Sequence, residues 1–564
     1  MVVVTEQRAP RLWGHDRPPA DRREALDWTA LGRLLGWPTR VIPRPRDGSL
    51  PEIPAGASVV VVACDLARVP ARWWRDLAAR MASRPLNVVV RATGREGALA
   101  RWAGARSDHR LAGRTLAWTG PGPPCRWTGS QQLEGRALVL APGTDACGTL
   151  DGVAVAAARP VGRGRAVTLG FHPSEARDRD GAATAFLVRL LTEPCAAPVA
   201  WLDHARTLVL RMDDPGGAPS AHLEAWSYRT LTERDWARIA EVLRARDARV
   251  SLAYVPGWVD DGDGARGRLW VGGRFTRRAP GRIHPSPRVR YAPRNGSARP
   301  VQDHVGEYRG IRRLQAQGLA GIELHGFTHL HPDLAAWSVA PDRYGEVGWY
   351  REFGPRAEAH LSALPHQKQP LVRGLALVRR WFGAAPSTLI FPGDERSEVA
   401  LLQAVALGFE QVGGPDHGIR DGDCMLWASH VHAPYLDQPA EWWRTAGLPV
   451  VGYFHDRDVS RGGAAWLARW LDAWREAGME RFIDYRELAS ALGLRLRFVR
   501  GGSGWRLTVR RVSGPPAPRP VPIAVRWPGG GTPPRLEVET AGGVIEVPVR
   551  RLRTGAGRVL LPAG

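Results

Sequence analysis

Lysine is nearly missing from this chain. Lys368 is the single lysine in 564 residues, so the 78 Lys+Arg are otherwise arginine, and the formal charge of +22 is an arginine charge. With 64 Gly and 47 Pro alongside abundant Ala, this points to a coding bias rather than to selection for phosphate contacts. The sequence also lacks a zinc finger, an RRM signature and a helix-turn-helix with a basic recognition helix, so nucleic acid is not an expected partner despite a pI near 11.0. Cysteine is scarce. Cys64, Cys125, Cys147, Cys195 and Cys424 are scattered and form no CxxC, which excludes a disulfide framework and a thiolate zinc site. No run of about eighteen apolar residues occurs, so no transmembrane segment is expected. The start "MVVVTEQRAP" has no basic n-region and no small-residue cleavage site. The expected compartment is the cytoplasm, with an extracellular or cell-surface location as the alternative. Walker A, GxSxG and HExxH motifs are absent, which leaves nucleotide hydrolysis, serine-hydrolase chemistry and zincin proteolysis without support.

What is present is an ordinary globular composition, 44% hydrophobic and 24% charged. The length predicts two to four domains. Residues 1–200 alternate strands and helices: "ASVVVVACDL" (57–66), "PARWWRDLAARMAS" (70–83), "LNVVVRA" (86–92), "ALVLAP" (137–142), two strands about a Gly-Arg turn in 153–171, and a helix over 181–193. This predicts an open α/β sheet, and the succession resembles class I glutamine-amidotransferase-like or flavodoxin-like domains. Those amidotransferases set a nucleophilic cysteine in a glycine-flanked elbow. Cys64 in "VACDLA" lacks the glycines, so a binding or supporting role is expected of this part.

The stretch 194–205 reads as a linker. From 206 to 490 the pattern is strand, polar loop, helix, with strands in "TLVLRMD", "RVSLAYVP", "AGIELHG", "STLIFPG", "FEQVGG", "PVVGYFH" and "RFIDY". About seven βα units suit a (β/α) barrel, whose chemistry lies at the carboxyl ends of its strands. The expected barrel spans 201–494. Within it, 259–300 is rich in Gly, Pro and Arg and is expected to be a long loop insertion. Residues 495–564 alternate with period two and predict a small antiparallel β domain.

The polar residues of interest follow those apolar runs. "RMDDPGG" (211–217) sets Asp213 and Asp214 side by side, and "GIELHGFTHLHPD" (321–333) spaces His325 and His329 by four. Neutral imidazoles and one carboxylate make a three-ligand site with open positions, and Asp214 is the best candidate for the acid. A surface turn remains the bland alternative for any one of these residues. His331 and Asp333 either extend the metal shell or cap the next turn. His430 and His432 share one strand face and either line a pocket or face solvent. Asp456 and Asp458 either orient His455 or are solvated. Trp466, Trp470 and Trp474 fall at helical spacing and suit core packing. Trp258, Trp337, Trp349 and Trp427 are the candidates for stacking on a sugar.

"RMDDPG" with "HGFTH" resembles the first two motifs of the polysaccharide deacetylases, NodB-like carbohydrate esterases with a distorted (β/α)7 barrel. The resemblance covers 201–494. It implies Asp213 as general base, Asp214, His325 and His329 as metal ligands, and His455 in "VVGYFHD" as general acid. "LIFPGDERS" stands where the family's third motif lines the pocket, implicating Phe391, Pro392 and Arg396, with Trp427 and His432 as further substrate contacts. The cofactor implied is a divalent metal, zinc first, with cobalt, nickel or manganese as alternatives. The substrate implied is an N- or O-acetylated carbohydrate; no protein partner is implied. Three positions depart from the pattern. Pro215 intervenes before Gly216, Gly326 stands where Ser or Thr usually follows the first histidine, and the arginine that orients the base is missing before Phe391, leaving Arg396 as its candidate substitute. A non-catalytic carbohydrate-binding protein and a glycoside hydrolase, with two carboxylates flanking the bond, are the competing readings.

Overall fold

The computed structural model describes residues 1–6, 20–94, 98–173, 181–193, 197–218, 228–295, 300–331, 333, 350–353, 364–414, 417–422, 424–428, 431–432, 447–501, 504–527, 533, 535–552 and 556–563. The chain is a mixed α/β protein with several sheets. In the first sheet, Val2–Thr5, Arg40–Pro43, Val59–Ala63, Asn87–Arg91 and Gly164–Leu169 run parallel. Runs such as "VVVVA" are buried throughout, as expected of parallel strands covered on both faces. The helix Ala71–Ser83 lays Trp73, Trp74, Leu77 and Met81 into that cover. Beyond Gly164–Leu169 the sheet turns antiparallel and ends in a long hairpin, Ala105–Trp118 with Cys125–Leu140. Burial pushes the Cys64 thiol well above its usual value.

The second sheet carries the polar motifs. Its parallel strands lie in the order Gln411–Gly413, Thr388–Ile390, Ala320–Leu324, Val250–Val255, Thr207–Gly216, Val450–His455. Arg481–Ile483 also pairs with the start of Thr207–Gly216. Beyond Gln411–Gly413 the edge strands His417–Asp421 and Cys424–Ala428 are antiparallel. Among the described residues these strands do not close on themselves, so the expected (β/α)7 barrel is not found. Strand–helix alternation is common to open and closed sheets, and the sequence pattern cannot separate them. The strand ends still converge. Asp213 and Asp214, His325, Phe391 and His455 each lie at or just beyond a carboxyl end, where open α/β sheets place ligands.

Two further differences concern the predicted loops. Much of 259–300 is ordered β structure: Gly267–Val271 pairs with Arg274–Thr276 and Val289–Pro293, while Ile283–Pro285 pairs with Gly257–Val259. Trp258, Leu269, Val289 and Tyr291 give it a small core of its own, which the abundance of Gly and Arg conceals. Within the stretch read as a linker, Val199–Leu202 is a strand paired with Val521–Arg526. The C-terminal region therefore divides between two sheets, and one pair, Gly504–Arg511 with Arg535–Thr540, is parallel. Among the described residues no helix is long and apolar enough to cross a membrane.

After Val199–Leu202, His204 is buried with Nε2 3.1 Å from the Leu34 carbonyl at the end of helix Ala20–Leu34. Burial lowers its pKa from 6.5 to about 4. The ring is neutral in the fold, so its contribution is whole above pH 6.5 and is lost as pH falls towards 4, because the unfolded chain binds the proton more readily. The full linkage is about 3 kcal/mol. His204→Gln keeps a donor for the Leu34 carbonyl and has no such proton to take up. Thermal unfolding at neutral pH and near pH 4 should show a smaller loss of Tm in the variant. Equal losses in both proteins would refute the assignment.

Candidate metal and catalytic site

All ten residues of Thr207–Gly216 are buried, so its polar side chains must find partners inside the protein. Residues two apart on a strand share a face, and Arg211 meets Asp213. Arg211 Nε donates to Asp213 Oδ1 at 2.6 Å, and a terminal guanidinium nitrogen donates to Oδ2. The same guanidinium lies 5.1 Å from the Tyr453 ring centroid and 3.6 Å from Asp394 Oδ1. Burial opposes ionisation of Asp213, but Arg211, then His325 and His455, holds its carboxyl below the usual range. The guanidinium expected at Arg396 is thus supplied to Asp213 by Arg211 from the same strand. Arg396 lies half-buried ahead of helix Glu398–Ala406. The signal in the sequence was Arg-x-Asp on an apolar strand.

Asp214 leaves that alternation. Its φ is +80°, and the register with Val250–Val255 shifts between Asp213 and Gly216. Asp214 Oδ1 then lies 3.6 Å from His325 Nε2 and 3.4 Å from His329 Nε2. Ligands about 2.0–2.1 Å from a tetrahedral zinc stand about 3.3 Å apart, so both separations from Asp214 suit neighbouring corners of one coordination sphere. Two further observations fit a cation. Among the described residues Asp214 Oδ1 is buried with no hydrogen-bond donor, and one nitrogen or oxygen from each of the three residues lies within 4.8 Å of the other two. His325 Nδ1 is 3.0 Å from the Ile390 carbonyl, which keeps the proton there and frees Nε2. Burial lowers the His329 pKa to about 4, leaving a neutral ring that can ligate. Burial opposes a charge on Asp214 too, yet its pKa is lowered, first by contact with His325 and then by His329 and His455, the last being the ring that keeps its proton at neutral pH.

His455 pairs with Asp213 across the parallel ladder. It caps helix Asp456–Glu476, and its backbone N–H donates to Asp458 Oδ2 at 2.9 Å. The ring's Nδ1 is 3.7 Å from the same oxygen. Burial alone would lower the His455 pKa; Asp458, Asp214 and Asp213 raise it to about 9. Asp456 takes a different partner, accepting from the Tyr228 hydroxyl at 2.7 Å. Burial, Asp214 and Glu307 push its pKa well up.

The two segments that carry Asp214 and the histidines rest on buried glutamates that sequence reasoning missed. Glu307 Oε2 accepts from Gly216 N–H at 3.2 Å and lies 2.9 Å from His304 Nδ1. Glu352 Oε2 accepts from the backbone of Phe327, Thr328 and His329 at 2.7, 3.2 and 3.2 Å. Gly326 has φ +66°, and a Cβ there would stand 2.2 Å from Glu352 Oε2. The departure from Ser or Thr at this position has that steric reason.

The remaining candidates are spread more widely. Phe391 is buried, its ring 5.9 Å from that of Phe353, and Pro392 is buried beside Gly326. Trp258 is buried in the inserted sheet and donates to Gln302 at 3.1 Å. The Asp333 N–H donates to His331 Nδ1 at 3.2 Å. Trp466, Trp470 and Trp474 pack against the core. The side chains of Trp427 and His432, and all of Trp337, Trp349 and His430, lie outside the described residues.

Arg211→Met strands the Asp213 charge inside the protein, and losing one partner of a buried pair costs about 3–5 kcal/mol. Adding Asp213→Asn removes the stranded charge and should recover part of that loss. Urea unfolding measures both, and a loss below about 1 kcal/mol in the single variant would contradict the pairing.

No family model matches the sequence, and no curated protein does. Among solved structures, the chain is similar to a protein assigned as a polysaccharide deacetylase from Mycobacterium smegmatis, at 14% identity over 52% of this chain and 93% of that one, TM-score 0.31. A CE4-family pseudoenzyme from Bacillus anthracis aligns at 9% identity over 51% and 67%, TM-score 0.26. An exo-β-1,4-mannosidase from Opitutaceae bacterium strain TAV5 aligns at 15% identity over 34% and 36%, TM-score 0.24. These are distant likenesses, and the chemistry is read from the side chains alone.

Proposed function

We propose that the chain is a metal-dependent hydrolase that removes acetyl groups from an N- or O-acetylated carbohydrate. The observation that carries this reading is the convergence of Asp214, His325 and His329 beside a second, differently held carboxylate, Asp213. Asp214, His325 Nε2 and His329 Nε2 would hold the cation. A divalent ion there supplies Lewis acidity, polarising an acyl oxygen and easing loss of a proton from water.

The protein's own groups divide the proton work. Asp213, kept as a carboxylate by Arg211, has lone pairs left to accept a proton from the attacking water. Without a metal, Asp458, Asp214 and Asp213 raise the His455 pKa to about 9. With a cation on Asp214 that pull weakens, and Asp458 is left as the main partner of a ring that can give its proton to the departing amine or alcohol. Asp458 fixes the entry of His455 into its helix and faces the ring. The two acids thus have separate duties because each has separate partners, Arg211 for Asp213 and two imidazoles for Asp214. The carbohydrate substrate rests on the resemblance of the motifs; zinc is the first candidate metal for a set of two imidazoles and one carboxylate.

The test is acetate release from N-acetylated chito-oligosaccharides by the purified protein with added zinc or cobalt. Asp213→Asn should lower the rate by about 10²–10⁴-fold while metal content stays unchanged. His329→Ala should lose both metal and activity. Shortened sugars without acetate would replace deacetylation by glycoside hydrolysis, and wild-type protein that takes up no metal would end the reading.

A further inference from the structure

The four residues 350–353 join two loops of the site. Glu352 gathers three successive amides, those of Phe327, Thr328 and His329, onto one oxygen, and the Thr328 amide also lies 3.4 Å from its other oxygen. Arg351 donates to Glu395 Oε1 at 2.5 Å. The Tyr350 ring lies 6.0 Å from that of His329, and Phe353 packs edge-on against Phe391. One side of this strap therefore holds the histidine loop, and the other holds the 391–395 turn, whose Asp394 faces Arg211.

The histidine loop needs such a hold. His329 has φ +64° and Gly326 φ +66°, backbone that a β-carbon-bearing residue adopts only under constraint. Successive N–H groups aimed at one point form an anion-binding concavity, and here the anion is a side chain 4% exposed. No metal ligand lies on the strap itself. Glu352 can influence the cation only by fixing where His329 stands, as outer partners of ligands do.

We propose that Glu352 is a positioning residue for the second histidine of the site, and that its carboxylate with the gap left by Gly326 sets the metal affinity. This rests on the metal-site reading above. Cobalt uptake, followed by visible absorption, and amide exchange of 326–331 in metal-free protein test it together. Glu352→Ala should lower cobalt affinity by about 10- to 100-fold and remove exchange protection from the 327–329 amides. Glu352→Gln keeps an acceptor oxygen and should restore most of both. Gly326→Ala, which drives the carboxylate away while leaving it in the chain, should reproduce the alanine phenotype and serves if Glu352→Ala does not fold. Wild-type cobalt affinity in Glu352→Ala or Gly326→Ala would overturn the proposal, as would lost protection with affinity intact, which makes Glu352 structural only. If the wild type takes up no cobalt, the metal reading falls, and the exchange comparison alone decides whether Glu352 fixes the loop.

Discussion

Two adjacent carboxylates can stay ionised inside a protein only if each has its own stabilising partners. Asp213 is 3% exposed and Asp214 2%, and burial works against the charge on both. One strand end resolves the conflict by turning the two residues to different partners. Asp213 keeps the alternation of the strand and so meets Arg211, two residues earlier. Asp214 leaves it through a positive φ and a register shift, and meets two imidazoles from the loop beyond another strand end. The strain at Asp214 is thus tied to the separation of two environments, one acid paired with a guanidinium and the other facing two imidazoles.

The same physics recurs one layer out. Glu307, Glu352 and Glu323 are each buried and each accepts backbone N–H groups from a strand end or the loop after one: Gly216, residues 327–329, and Thr388 respectively. Burial raises the pKa of Glu352 to about 7 and of Glu323 to about 8, so these carboxyls are held in place against a desolvation cost that their amide donors only partly offset. Turns at the ends of short parallel strands have few ladder bonds of their own. A carboxyl group beneath each supplies the missing acceptor and fixes the residues that the turn carries. Three of the non-glycine residues with positive φ, Asp214, His329 and Asp394, sit on turns joined to this scaffold or to Arg211.

The sequence by itself determined the local elements. Apolar runs such as "TLVLRMD" and "PVVGYFH" are strands, the helical spacing of tryptophans in 466–474 is a helix packed on the core, and the Asp-Asp and His-x3-His pairs stand out because few local patterns put such side chains next to apolar strands. Other elements were not legible. The helix Ala20–Leu34 is rich in charge, and the inserted sheets around Trp258 are masked by Gly and Arg. Tertiary structure alone decided that the strands remain open among the described residues, since closure depends on which edges meet and not on the period of any one strand. It also decided that Arg211 rather than Arg396 holds Asp213, and that Glu352, more than twenty residues from the loop it holds, belongs to the site. Periodicity records which face of an element is buried; the partner waiting on that face is set by contacts between distant segments, which leave no local trace.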